Sequence, residues 1–145
     1  MIWSLHVPPK IKYFCRKLFR NCLPTRFNLQ GRGVHCQSAC VACNNDLEDE
    51  MHLFMHCKFA IDYWKATNLW GIIAPYMASS GSFSFIIFAI LRAFGVENYA
   101  RFVAILWSIR CARNAFLWSK NHSMQTHALF EAEGKFGVGI YSNCS

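Results

Sequence analysis

The sequence predicts a mainly α protein, and three observations carry that expectation. Ile11, Phe14, Cys15, Leu18, Phe19, Cys22 and Leu23 recur at three- and four-residue spacing, the signature of one apolar helix face. Pro8-Pro9 opens this stretch and Leu23-Pro24-Thr25 closes it. Proline fits a first helical turn and pushes the residue before it out of the helical region. After residue 82 the chain is apolar over two helix-length stretches, near 83–94 and 97–120, with Gly95 between them.

The elements follow in order. Lys10, Lys12, Arg16, Lys17 and Arg20 occupy the faces of the first helix away from its apolar stripe. Tyr13, beside the stripe, reads more readily as core than as a platform for a stacked base. Thr25 suits the cap of a short helix ending near Gly31 and Gly33. Residues 34–47 are polar and Cys-rich and read as a loop or knuckle. Asp46 to Asp49 supply capping and first-turn charge for a helix carrying Met51 to Met55, and a further helix from Lys58 places Phe59, Tyr63 and Trp64 on one side. Gly71 to Gly81, with Pro75 and a Ser-Ser-Gly break, reads as a linker. Phe83, Phe85, Phe88, Trp107 and Trp118 are expected in the core, and a short helix near 125–133 closes the reading. The expected division is a first unit over 1–70, a linker over 71–82 and a helical region over 83–145.

Composition bounds the function. Hydrophobic residues make up 54% of the 145 residues and charged residues 16%, enough apolar material for a core and too little charge for a disordered chain. The net charge of +7 is unevenly placed: residues 1–45 hold Lys10, Lys12, Arg16, Lys17, Arg20, Arg26 and Arg32 with no Asp or Glu. Such asymmetry points to a polyanionic partner, against the plainer reading of a solvated helix face. The N-terminus lacks the apolar core of a signal peptide, and the longest apolar stretch, Phe83 to Leu91, is far short of the roughly 20 residues that span a bilayer. The expected location is intracellular, in nucleus or cytoplasm, away from membranes. There the eight Cys favour metal ligation or core packing over disulfides, and the Asn-x-Ser triplets at Asn121 and Asn143 read as chance.

The sharpest pattern is Cys40-x2-Cys43-x8-His52-x4-Cys57. Zinc takes four N or S ligands in a tetrahedron, and a Cys-x2-Cys knuckle offers two at one turn. Residues five apart on an α-helix lie roughly 140° apart around the axis, so His52 and Cys57 do not share a face. The pair requires the helix to end near His56, with Cys57 just beyond. His56, four residues from His52, is the rival ligand, and His35 and Cys36 are further competitors. Four protein ligands close the site and make the zinc structural. The fold expectation thus becomes a small helical zinc-binding module followed by an apolar helical pair.

These residues resemble the zinc-binding domain found downstream of the reverse transcriptase in plant non-LTR (LINE-type) retrotransposons. Trp3, Val7-Pro8-Pro9-Lys10, Leu23-Pro24-Thr25, Cys40, Cys43, Glu50, His52-Leu53-Phe54, Cys57 and Trp64 carry the resemblance over about residues 2–70, and ILWSIRCARNAFLW at 105–118 extends it more weakly. Where the family carries Trp after the Phe of the first helix, this chain has Cys15. The resemblance implies a module derived from a retrotransposon polyprotein.

Enzyme chemistry finds no support in the sequence. There is no Asp-Asp pair for two-metal catalysis, no glycine-rich phosphate loop, and no Cys marked as activated. Four of the eight acids fall beside the Cys/His motif, where they read as helix N-terminal charge. The expected function is therefore non-catalytic: RNA or single-stranded DNA binding through Lys10, Lys12, Arg16, Lys17 and Arg20. The alternative is a structural or protein-interaction module, with the C-terminal helices docked on a protein partner, or a decayed element fragment.

Overall fold

The computed structural model describes residues 6–45 and 47–119. The expected cap at Asp46, the core role of the Trp118 side chain, the helix near 125–133 and the triplets at Asn121 and Asn143 lie outside what it describes. Among the described residues the fold is mainly α: α1 (Pro9–Phe19), α2 (Arg26–Gly31), a π turn (His52–His56), α3 (Lys58–Ala66), α4 (Trp70–Ile73), a 3-10 turn (Ala74–Tyr76), α5 (Phe83–Ala93) and α6 (Val96–Ser119).

Helix α1 starts at the two prolines, as expected, and buries Ile11, Phe14, Cys15 and Leu18. It stops earlier than Leu23-Pro24. Asn21 takes a left-handed φ of 51°, and the Cys22 N–H donates to the Lys17 carbonyl at 2.9 Å, closing the last turn. The Thr25 hydroxyl accepts the Asn28 N–H at 3.2 Å and caps α2, which ends where Gly33 supplies a φ of 82°. The stretch read as a linker is partly helical. The Leu69 N–H donates to the Trp64 carbonyl at 3.2 Å just before α4, Pro75 fits the first turn of the 3-10 segment, and Ile73 is buried. Ser82 then caps α5 by accepting the Phe85 N–H, and Gly95 separates α5 from α6 as the sequence implies.

One core runs through both halves of the chain. Phe14 meets Trp107 edge-on at 5.4 Å between ring centres, Phe54 stacks on Phe83 at 5.6 Å, Trp64 on Phe102 at 5.5 Å, and Phe59 packs on Phe116 at 5.2 Å. Helices α5 and α6 thus cover the aromatic residues of the N-terminal segment. Phe83 and Trp107 are buried as expected. Phe85 is not, at 63% exposed, and Phe88 is only partly covered, stacking on Phe19 at 4.8 Å. Tyr13 is also no core residue: at about 100° per residue it falls among the basic side chains of α1, opposite the buried stripe, and its ring is 59% exposed.

Candidate metal centre

The Cys40–Cys43 knuckle is a tight turn held by backbone. The Asn44 N–H donates to the Cys40 carbonyl at 2.8 Å, Asn44 takes a left-handed φ of 61°, and an antiparallel bridge between Ala39 and Leu47 closes the loop's base. The other pair comes from the π turn. Asp49 Oδ1 accepts the His52 N–H at 2.7 Å and starts the helical segment, and the Cys57 N–H donates to the His52 carbonyl at 2.7 Å. This five-residue step is the widened turn of a π-helix, a form common at functional sites. Widening brings Cys57 back over His52, which an ideal α-helix does not allow. Cys57 then leaves the turn with extended backbone (φ −63°, ψ 136°) before α3 begins.

Four donor atoms converge as a result. Cys40 Sγ lies 3.9 Å from Cys57 Sγ, Cys43 Sγ lies 3.3 Å from His52 Nε2, and the ligand atoms of Cys40, Cys43, His52 and Cys57 all fall within 4.8 Å of one another. A tetrahedral zinc with bonds of about 2.3 Å to sulfur and about 2.0 Å to nitrogen needs edges of about 3.8 Å between sulfurs and about 3.6 Å from sulfur to nitrogen. The donor set fits such an ion in chemistry and in spacing, and is compatible with a structural zinc. Cys40, His52 and Cys57 are buried and Cys43 is half-buried, so little room is left for a catalytic water.

The charge states tell the same story. Its hydrogen bond with Cys57, and then burial, push the Cys40 thiol up to about 12, while the same bond draws Cys57 down. Hydrogen bonding to Cys40 lifts the His52 imidazole to about 9 against the opposing effect of burial. A divalent cation held by these groups would displace the thiol protons.

The rival ligands are elsewhere. His56 is exposed and its Nε2 pairs with the Met77 carbonyl at 2.8 Å, Cys36 Sγ faces the Arg26 carbonyl at 3.8 Å, and His35 is exposed.

The acidic run beside the motif needs a correction. Asp49 caps the π turn, but Glu48 is wholly buried and pairs with Arg113 of α6. Its Oε1 accepts from Arg113 Nη2 at 2.6 Å and from the Arg26 N–H at 3.0 Å; its Oε2 accepts from Arg113 Nε at 3.3 Å and from the Val41 N–H at 3.1 Å. Val41 sits inside the knuckle, so this carboxylate connects the metal loop to a helix 65 residues away in sequence. Glu50, held up by burial, accepts from the Asn28 amide at 2.6 Å. At 65 positions apart, Glu48 and Arg113 leave no local sequence signal of their pairing.

On α1 the five basic residues span an arc of about 160°, at about 100° per residue, opposite the buried stripe. Lys10 and Lys17 lie at the edge facing α6; Lys12, Arg16 and Arg20 form a ridge farther round. Arg26 is committed elsewhere, donating to the Ala39 carbonyl at 2.7 Å.

A helical fold that gathers three Cys and one His defines a small module compatible with a structural zinc. Residues 1–64 match the model of the family described as zinc-binding in reverse transcriptase. The match covers the zinc-binding domain and no catalytic domain. Comparisons with curated proteins and with solved structures yield no match. No helix among the described residues is long and apolar enough to cross a membrane.

Proposed function

We propose that this chain is a non-catalytic module of a LINE-type reverse-transcriptase polyprotein. In this reading Cys40, Cys43, His52 and Cys57 hold one structural zinc, and Lys10, Lys12, Arg16, Lys17 and Arg20 bind RNA or single-stranded DNA. The convergence of four donors within 4.8 Å carries the metal part of this reading. Bound zinc would supply a closed cross-link, and the chain's own residues do the rest: the knuckle and π turn orient the donors, and Glu48 fixes the knuckle to α6. The placement of α1's cations on one arc, in a third of the chain without a single carboxylate, supports the nucleic-acid part. Lysine and arginine neutralise phosphates and release counterions, a sequence-independent and salt-sensitive attraction.

Metal analysis of the purified protein tests the ligand set. One zinc per chain is expected, lost in His52→Ala and Cys57→Ser and kept in His56→Ala and Cys36→Ser; retention in His52→Ala removes the assignment. Binding to single-stranded oligonucleotides tests the rest. Five phosphate contacts predict a slope of log K against log salt of about −3.5, at roughly −0.7 per contact. The exposed Phe85 on α5 favours a second reading, docking on a protein partner. Flat salt dependence together with weakened partner binding in Phe85→Ser would favour it.

A further inference from the structure

Between α1 and α6 lies a cavity of about 220 Å3 lined by Lys10, Tyr13, Phe14, Lys17, Leu23, Trp107 and Arg110. We propose that it receives one unstacked nucleotide of a single-stranded nucleic acid, with the base in the cavity and its phosphates on Lys10, Lys17 and Arg110. This rests on the reading that α1 binds nucleic acid, and adds α6 to the binding surface.

Two properties of the cavity select this ligand. The first is charge. Three cations border it, and no Asp or Glu is among its lining residues within the described part of the chain. Lys10 Nζ lies 5.9 Å and the Arg110 guanidinium 4.9 Å from the centre of the same Trp107 ring. Like charges gathered around one space are relieved by an anion. The second is aromatic surface. Tyr13 stands exposed at the edge with Lys17 Nζ 4.8 Å from its ring centre, and offers a π face on which a base can stack.

A nucleotide joins both: anion and planar ring. Inorganic phosphate lacks the ring, and a base within a duplex is already stacked and paired. The volume is below the roughly 300–1,000 Å3 of pockets that enclose a whole drug-sized ligand, which fits a base inside and a backbone outside. The spacing on α1 supports the geometry. Lys10, Tyr13, Phe14 and Lys17 stand at intervals of three, one and three residues, one helix face about 10 Å long at 1.5 Å per residue.

Fluorescence anisotropy of the zinc-loaded full chain tests the proposal, with a labelled 12-residue oligo-dT, an abasic 12-residue phosphodiester and a 12-base-pair duplex at one salt concentration. Oligo-dT is expected to bind roughly tenfold more tightly than the abasic strand, the size of one base–aromatic stack. Tyr13→Ala should erase that difference and Tyr13→Phe should keep it. The triple variant Lys12→Ala/Arg16→Ala/Arg20→Ala should weaken both strands alike. Equal affinity of the wild type for oligo-dT and the abasic strand overturns the base site while leaving phosphate binding by α1 intact. An equal loss on both strands in Tyr13→Ala does the same. If none of the three probes binds at low salt, both readings fail.

Discussion

Replacing Arg113 with methionine removes the partner of a carboxylate with no exposed surface. In the native protein Glu48 accepts four hydrogen bonds, two from Arg113 and one each from the Arg26 and Val41 backbone N–H groups. Arg113→Met leaves two. Arg113 also donates to the Pro24 carbonyl at 3.3 Å, so the start of α2 loses a tie as well. Breaking a buried pair from one side typically costs about 3–5 kcal/mol, because the remaining charge keeps its desolvation penalty without its counter-ion. Small domains have about 5–15 kcal/mol in total, so the variant should be folded but fragile. Urea unfolding of the zinc-loaded protein measures this, and chelator competition measures a second effect. Val41 belongs to the knuckle, so zinc affinity should fall by roughly 10- to 100-fold, as for other groups that orient metal ligands. The double variant Glu48→Gln/Arg113→Met should lose at least about 1 kcal/mol less than the sum of the singles, since the two groups are coupled. A loss under about 1 kcal/mol in Arg113→Met, or strict additivity, would show that the pair is not buried as described.

Zinc removal by a chelator at neutral pH should lower the helical circular dichroism and the unfolding temperature, both recovered on adding zinc; unchanged curves would mean the four donors do not hold the fold. Cys15, buried and pushed up to about 12 by that burial, should resist thiol labelling at pH 8 until the protein is denatured, whereas half-buried Cys22 should label in the folded state. Mass spectrometry of labelled peptides decides this. Trp64→Phe loses the indole N–H that donates to the Phe54 carbonyl at 2.8 Å and should cost about 2 kcal/mol in urea unfolding; no loss would mean that the carbonyl finds another donor. A chain cut after residue 82 strips the cover from Phe14, Phe54, Phe59 and Trp64 and should lose cooperative thermal unfolding even with zinc present; a sharp transition would mean that the first unit folds by itself.

The sequence made some of this visible for identifiable reasons. Helix starts at Pro8-Pro9 and Thr25 are local chemistry, readable within four residues. The donor spacing is readable because zinc restricts ligand type so narrowly. Three features were not readable. The π turn at 52–56 violates the ideal helix on which the face argument rests, so sequence geometry could only require a break. The exposure of Tyr13 and Phe85 depends on where α6 and α5 lie, which periodicity does not specify. Glu48 hid in a run of four acids, since burial of one carboxylate in a charged run is decided by an arginine 65 positions away.

That arginine also joins the two proposed sites. Trp107, Arg110 and Arg113 follow at three-residue steps along α6, so they climb one side of the helix within about 9 Å. Arg113 fixes this side to Glu48, and Glu48 holds the Val41 N–H between two of the proposed zinc ligands. The rotation of α6 about its axis is therefore set at the knuckle, one turn from the residues that line the cavity. Phe14 completes the link, touching Trp107 on one side and Phe54 of the π turn at 6.2 Å on the other. A metal that fixes knuckle and π turn thereby also holds both walls of the cavity: α6 through Glu48 and Arg113, and α1 through Phe54 and Phe14. A zinc held there would be remote from the proposed nucleotide yet would govern the shape of the surface that meets it, which would account for a closed Cys3His cluster beside a basic helix.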